Sequence, residues 1–257
     1  RPHRHGDRPA DYAAGNEADF LRRLVRPNGR PALQAWDCRY DHAGRQDLAH
    51  TTSLYVPNEY LFRIVRRYPD LFIPCASINP ARRDALDEID RCAAAGARLV
   101  KVHPPTMALD PADPRFLPFY RRCADRGLIV MVHTGTEHSA DIIGQEVADP
   151  ARLRPALEAG CLVIAAHAGT RAFFDREDFY PHFREMIRRY PRLYCDTAVL
   201  ASMFRFRVLP QMLRDDGVME RAVHGSDIPF PANAMVFWHR LRPADLISLV
   251  TEANLFE

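Results

Sequence analysis

The sequence predicts an α/β fold, a (β/α)8 barrel of the TIM type whose first strand is unclear and is either displaced within the 257-residue chain or missing from it. Three observations support this prediction. Short apolar runs alternate with helical stretches, the runs recur about every 30 residues, the length of one βα unit, and several helices end at a glycine just before the next run. A doubly wound sheet is the alternative, but no glycine-rich fingerprint follows any strand.

Seven apolar runs are the predicted strands, whereas a closed barrel of this type needs eight. The runs are residues 32–36, 71–78, 98–102, 128–132, 162–166, 193–195 and 221–223. The missing strand is expected first, within or before residues 1–30. We therefore expect two regions: an N-terminal segment of uncertain structure over residues 1–30, and the barrel over residues 31–257.

Helices are predicted in the gaps between these runs, over residues 58–68, 80–95, 114–126, 150–159, 181–190 and 200–216. Gly96, Gly127 and Gly160 directly follow three of them. Glycine adopts at little cost the left-handed conformation that commonly closes a helix. A glycine that ends a helix just before an apolar run is typical of regular α/β construction.

Composition limits the class of protein. Apolar residues make up 47% and charged residues 26%, as in ordinary globular domains, and there is no run of 18 apolar residues that would predict a membrane helix. A net charge of +2 argues against nucleic acid or an acidic membrane surface as a partner. Six cysteines without a C-x-x-C pair, and an N-terminus without an apolar signal region, predict reduced thiols and a cytoplasmic location.

Side chains capable of catalysis follow five consecutive predicted strands. They are Lys101 with His103, then His133, His167, Asp196 and Asp227. In a barrel the C-terminal ends of the strands form one rim, and active sites are built there. One histidine alone would be interpreted as a satisfied, partly buried ring. Together, imidazole and carboxylate groups are what Zn²⁺ prefers as ligands, so the rim predicts a divalent metal site, with zinc as the expected cation.

Three motifs give the rim a family resemblance. They are VHTG at residues 132–135, AHAG at 166–169 and HGSDIP at 224–229. The chain resembles the amidohydrolase superfamily, in particular the amidohydrolase-related (amidohydrolase 2) branch that contains aminocarboxymuconate-semialdehyde decarboxylase-like enzymes. The resemblance covers residues 32–256. It implies that His133 and Asp227 bind metal, that Asp227 also handles a proton, and that His167 is a second ligand or the catalytic base.

The first strand of that family ends in H-x-H, which supplies two further metal ligands. His3-Arg4-His5 has this spacing, but no apolar residues precede it. Either these two histidines are metal ligands at the end of a displaced first strand, or they belong to an unrelated tail. We expect the tail, because nothing apolar before His3 anchors it in a barrel core.

Other rim residues are expected to contact substrate. Lys101 is the only lysine among 35 basic residues, which indicates a position where a guanidinium will not serve. A contact with a substrate carboxylate is expected there, with a metal-bridging carboxylated lysine and a plain strand-end lysine as alternatives. His103 and Arg171 are assigned to substrate binding as well, and the nearby Glu137 and His138 could line the pocket.

These features predict a metal-dependent hydrolase of a small, anionic substrate, with Asp227 and His167 as the proton-handling groups. Two alternatives stay open. One is non-oxidative decarboxylation at the same site, and the other is a metal-free barrel that only binds a ligand. The expected partner is a small-molecule substrate, with no nucleic acid or membrane, and a homodimer is left open.

Overall fold

Seven strands pair in parallel, each with the next one along the chain, in a single sheet. They belong to a computed structural model that describes residues 29–51, 54–228, 230, 238 and 240–251. The strands are β1 Ala32–Gln34, β2 Ile73–Ser77, β3 Leu99–Val102, β4 Ile129–His133, β5 Val163–Ala166, β6 Leu193–Asp196 and β7 Ala222–Val223. Each corresponds to one predicted run, so the predicted barrel-type α/β fold is confirmed. The strand expected first falls mostly on residues outside the described part of the chain.

Helices lie between consecutive strands, as the parallel pairing requires, and one more follows the last strand. They are α1 Asn58–Arg67, α2 Ala85–Ala94, α3 Pro104–Met107, α4 Leu117–Asp125, α5 Arg154–Glu158, α6 Tyr180–Arg189, α7 Leu209–Met212, α8 Asp216–Met219 and α9 Pro243–Thr251. Gly96, Gly127 and Gly160 follow α2, α4 and α5 with φ angles of 96°, 64° and 91°, which confirms their predicted helix-closing role. The prediction of one helix over residues 200–216 is wrong, because turns occupy residues 201–208 and two short helices follow.

The two faces of the sheet bury different groups, because successive side chains of a strand point to opposite sides. Val100, Val130 and Val163 belong to the large core shared with the helices. Leu99, Met131 and Ile164 form part of a separate small cluster on the other face, the barrel interior. The positions two residues after Leu99 and Met131 therefore lie on the same face, nearer the C-terminal rim.

The chain has no helix, within the described residues, that combines the length and the apolarity needed to cross a membrane. All six cysteines are free and buried, as predicted for reduced thiols that pack as small apolar groups.

Candidate metal centre

Side chains alternate between the two faces of each strand, and this places Lys101 and His133, with His103 just beyond them, over the small apolar cluster in the barrel interior, the apolar floor of the site. Lys101 follows Leu99 by two residues and His133 follows Met131 by two, so both lie on the interior face. His103 lies just beyond β3 on the same side. All three residues are buried, with 1–4% of their surface exposed.

His103, His133 and Glu137 form one cluster whose potential ligand atoms lie within 4.8 Å of one another. Glu137 Oε2 is 3.3 Å from His103 Nε2 and 3.6 Å from His133 Nε2. The two imidazole rings are 4.0 Å apart between centroids. Two imidazole nitrogens and a carboxylate oxygen are a donor set typical of catalytic zinc.

Loop donors fix the Glu137 carboxylate. Oε1 accepts hydrogen bonds from the backbone N–H of His138 at 2.8 Å and from the N–H and hydroxyl of Ser139, both at 2.5 Å. Its other oxygen, Oε2, therefore faces the two histidines. Burial acts to raise the pKa of Glu137, but the hydrogen bond and charge of His103 and the hydrogen bonds of Ser139 outweigh it and hold the pKa well below its usual range. The carboxylate is ionised at neutral pH.

The Nε2 atom of His133 has the property expected of a metal ligand. It is buried and has no hydrogen-bond partner among the described residues, although a buried nitrogen without a partner is costly. Burial, followed by the nearby His103 and His167, lowers the pKa of His133 well below its usual value. The ring is therefore neutral at pH 7, and its free nitrogen fits a cation.

His103 is oriented by a second partner. Its Nδ1 lies 2.9 Å from the Thr106 hydroxyl, and the Trp36 ring packs 4.6 Å from its own ring. Burial lowers the pKa of His103 despite the hydrogen bond to Glu137. Ligating histidines usually have such a partner on the nitrogen that does not face the metal.

His167 lies beside the cluster, with its ring centroid 5.0 Å from that of His133. Its backbone N–H donates to Asp196 Oδ1 at 2.8 Å, and its Nδ1 lies 3.2 Å from the carbonyl oxygen of Ala198. Burial, followed by the nearby Arg205, lowers the pKa of His167 well below its usual value. Because a carbonyl only accepts, Nδ1 carries the proton of the neutral ring and Nε2 keeps a lone pair.

Asp227 follows β7 in the left-handed conformation, with φ 55°. Burial raises the pKa of its carboxyl, as does Glu137, while Lys101 and Arg205 act to lower it. The charges of Glu137, Lys101 and Arg205 therefore act on Asp227, but Asp227 is not one of the residues whose ligand atoms lie within 4.8 Å of one another. Its predicted role as a ligand stays a prediction.

The remaining predicted residues differ in their surroundings. Lys101 is buried, and no described residue forms a hydrogen bond or ion pair with its Nζ. Arg171 turns toward its own loop, donating to the carbonyl of Asp175 and lying 3.8 Å from Asp178. His3 and His5 lie outside the described residues.

The roles of two residues, Glu137 and Arg205, were not predicted from the sequence. Glu137 joins the histidine cluster, and its four-residue spacing from His133 is the signal that could have identified it. Arg205 reaches the rim from residues predicted to be helical, donating to the carbonyls of Thr170 and Thr136. No local pattern indicates a contact across 69 residues.

Solved structures similar to this one have low sequence identity and share the fold. An uncharacterised TIM-barrel protein from Bordetella bronchiseptica is 18% identical with a TM-score of 0.57, and the alignment covers 92% of this chain and 88% of that one. A putative 2-pyrone-4,6-dicarboxylic acid hydrolase from Pseudomonas putida is 18% identical with a TM-score of 0.55, covering 96% and 85%. A structure named amidohydrolase II is 20% identical with a TM-score of 0.53, covering 93% and 82%.

Comparison with curated proteins gave no match. A protein-family model described as amidohydrolase does match, over residues 2–242. That span includes every strand of the sheet and every residue of the histidine and carboxylate cluster. The chain therefore belongs to the amidohydrolase family of enzymes.

Proposed function

We propose that the protein is a metal-dependent hydrolase of a small, anionic substrate, acting on a C–O or C–N bond. The observation that carries this proposal is the buried cluster of His103, His133 and Glu137, in which His133 Nε2 has no hydrogen-bond partner among the described residues. A neutral imidazole beside an ionised carboxylate is costly to bury without a cation or a hydrogen bond to complete it.

Zn²⁺ is the cation that we propose for this cluster. Two histidines and one carboxylate are a common catalytic zinc set, with the fourth position left open. A cation bound there supplies Lewis-acid activation of water, lowering the pKa of the water toward about 7. His133 is common to this set and to the ligands predicted from sequence. His103, predicted at the substrate, becomes a ligand in this proposal.

Asp227 and His167 are the proposed proton-handling residues. The unprotonated Nε2 of His167 can accept a proton, while the protonated Nδ1 stays on the Ala198 carbonyl. Burial raises the pKa of Asp227, and a carboxyl whose pKa moves toward neutrality exchanges protons more efficiently at pH 7. His167 directly follows β5, and Asp227 follows β7 by four residues.

Two cations support an anionic substrate. Lys101 is buried without a described hydrogen-bond partner, and no described carboxylate lies within ion-pair distance of Arg205. A buried, unpaired ammonium is unfavourable unless an anion neutralises it. We propose that a substrate carboxylate does so at Lys101.

Non-oxidative decarboxylation is the second candidate, favoured by the raised pKa of Asp227. A carboxyl that holds a proton longer than usual can donate it to the carbon that loses carbon dioxide. Hydrolysis and decarboxylation are distinguished by their product, since only the second releases carbon dioxide.

We also propose a cytoplasmic location, because all six cysteines are buried free thiols.

Metal content and turnover test the proposed function together. The purified full-length protein is freed of metal, reloaded with Zn²⁺ or Mn²⁺, and assayed on a panel of carboxylated lactones, esters and amides. We expect one tightly bound cation per chain in the wild type, its loss in His133→Gln, and wild-type binding in His182→Gln, which alters an exposed histidine paired with Asp149. A wild-type chain that binds no metal after reloading, or equal binding by His133→Gln, would overturn the proposal.

A further inference from the structure

Arg205 joins two rim loops through one guanidinium group. Nη1 donates to the backbone carbonyl of Thr170 at 2.7 Å, and Nη2 donates to the backbone carbonyl of Thr136. Thr136 immediately precedes Glu137 of the metal cluster, and Thr170 lies three residues beyond His167. One side chain, from the loop after β6, therefore contacts the loop of a proposed ligand and the loop of a proposed proton acceptor.

The two loops already run side by side. Thr134 N–H donates to the Ala166 carbonyl at 3.1 Å, and its hydroxyl accepts from Gly169 N–H at 2.9 Å. Thr136 N–H then donates to the Thr170 carbonyl at 3.2 Å. Arg205 donates to that same Thr170 oxygen, and the Thr136 hydroxyl accepts from Ala172 N–H at 3.0 Å, so both join the loops at the residue before Glu137.

Close packing at Gly135 shows how little freedom this arrangement has. Gly135 has φ 92°, and a Cβ built there would lie 2.1 Å from the Thr170 carbonyl oxygen and 3.0 Å from Arg205 Nη1. A side chain cannot occupy this space. The guanidinium and the two backbones fill it, which fixes how Glu137 emerges from its loop.

Hydrogen bonds to backbone carbonyls, rather than an ion pair, hold Arg205 in position. No carboxylate of the described residues forms an ion pair with it, although four carboxylates act on its charge at longer range. Its hydrogen-bond partners are carbonyl oxygens and the Thr170 hydroxyl. Its positive charge opposes the binding of a cation at the adjacent cluster. A planar fork that spans two carbonyls is the property that arginine has and lysine lacks.

We propose that Arg205 is a positioning residue that locks the loop bearing Glu137 against the loop bearing His167, so that the cluster is assembled before a metal binds. This inference rests on the proposed metal-dependent function. Residues that orient metal ligands typically contribute a factor of about 10–100 to metal affinity.

Two substitutions separate geometry from charge. Arg205→Met keeps an unbranched side chain as far as about the Nε position and removes charge and fork, whereas Arg205→Lys keeps the charge and removes the fork. We expect both to weaken Zn²⁺ binding by about 10–100-fold and to change the visible absorption spectrum of the Co²⁺-loaded protein. Arg207→Met is the matched control, because Arg207 stacks on Phe173 and does not contact either loop carbonyl; it should bind Zn²⁺ like the wild type.

Whether Zn²⁺ affinity rises or falls in the two variants distinguishes positioning from a charge effect. If Arg205 acted only through its charge, Arg205→Met would bind Zn²⁺ more tightly than the wild type and Arg205→Lys equally well, and either result overturns the inference. Thermal unfolding confirms that each variant is folded.

Amide hydrogen exchange of the metal-free protein tests the link that Arg205 makes between the two loops, here called the clamp, independently of any metal. We expect the Thr136 amide, which donates to Thr170, to exchange faster in Arg205→Met and Arg205→Lys than in Arg207→Met. Unchanged exchange rejects the clamp even if the wild type binds metal. Faster exchange in the two Arg205 variants supports the clamp even if the wild-type protein binds no metal, a result that would reject the proposed function alone.

Discussion

Glu137 lies 3.3 Å from His103, Oε2 to Nε2, although the two residues follow different strands. The opposite oxygen of the same carboxylate is held by Ser139. A carboxylate that is fixed through one oxygen and directs the other toward two imidazoles is suited to complete a metal site.

Replacing Glu137 with glutamine should weaken Zn²⁺ binding by at least about 10-fold, because the amide carries no charge and a poorer donor oxygen. Calorimetric titration of the metal-free protein measures the change. Glu177→Gln, at an exposed position, is the control and should leave affinity unchanged. Wild-type affinity in Glu137→Gln would remove Glu137 from the ligand set.

Replacing Asp227 with asparagine should reduce kcat by about 10²–10⁴ while the fold remains intact, because an amide cannot take up a proton at neutral pH. Turnover is measured on the variant after its metal content has been matched to the wild type. Near-wild-type kcat at equal metal content would rule out the proton-handling role. Lower metal content that cannot be restored would instead assign Asp227 as a ligand.

Replacing Lys101 with methionine should raise KM for carboxylated substrates by about 10–100-fold with a smaller effect on kcat, since a charge-assisted hydrogen bond to the substrate is lost. The comparison substrate is the neutral amide analogue of each carboxylate, for which KM should change little. An equal rise in KM for both would show that Lys101 supports packing rather than recognition.

Acid should destabilise the metal-free protein through its buried histidines. Burial lowers the pKa of His167 well below 6.5 in the folded state, so below about pH 6.5 the unfolded chain binds a proton that the folded chain does not. Stability contributed by the neutral ring is complete above that pH and falls as the pH decreases toward the folded pKa. The slope is up to about 1.4 kcal/mol per pH unit for each such histidine.

Urea unfolding between pH 5 and 8 in the presence of a chelator measures this slope. His167→Gln, which cannot titrate, should flatten the dependence below pH 6.5, whereas the exposed His182→Gln should not. An identical pH dependence in His167→Gln and the wild type would show that His167 has the same pKa in the folded and the unfolded chain, which contradicts the prediction.

Strand order and the places of Lys101 and His133 at the ends of their strands could be predicted from sequence, because they depend on local signals. A period of two places Lys101 and His133 over the same interior face, and that relation needs only the bounds of β3 and β4. The role of Glu137 was not predicted, because its carboxylate is aimed by hydrogen bonds to Ser139 in an irregular loop, which no periodic pattern encodes.

Arg205 was not predicted for a stronger reason. Its interactions are with backbone carbonyls of Thr136 and Thr170, which every residue type possesses, so no pairing of side-chain types indicates the contact. The residues around it also resemble a helix in composition, whereas turns occupy that region in the structure.

The separation between the apolar floor and the polar rim has a consequence for how this protein can change. Leu99, Met131 and Ile164 pack beneath the site without contributing a polar group to it, and each strand pairs with its neighbours in chain order. The part of the rim loop beyond Ser139, residues 140–144, can therefore be exchanged for another length or composition without repacking the barrel, as long as Glu137 and the residues that hold it are kept. New substrate preferences are accessible by loop replacement, provided that the carbonyls contacted by Arg205 are retained.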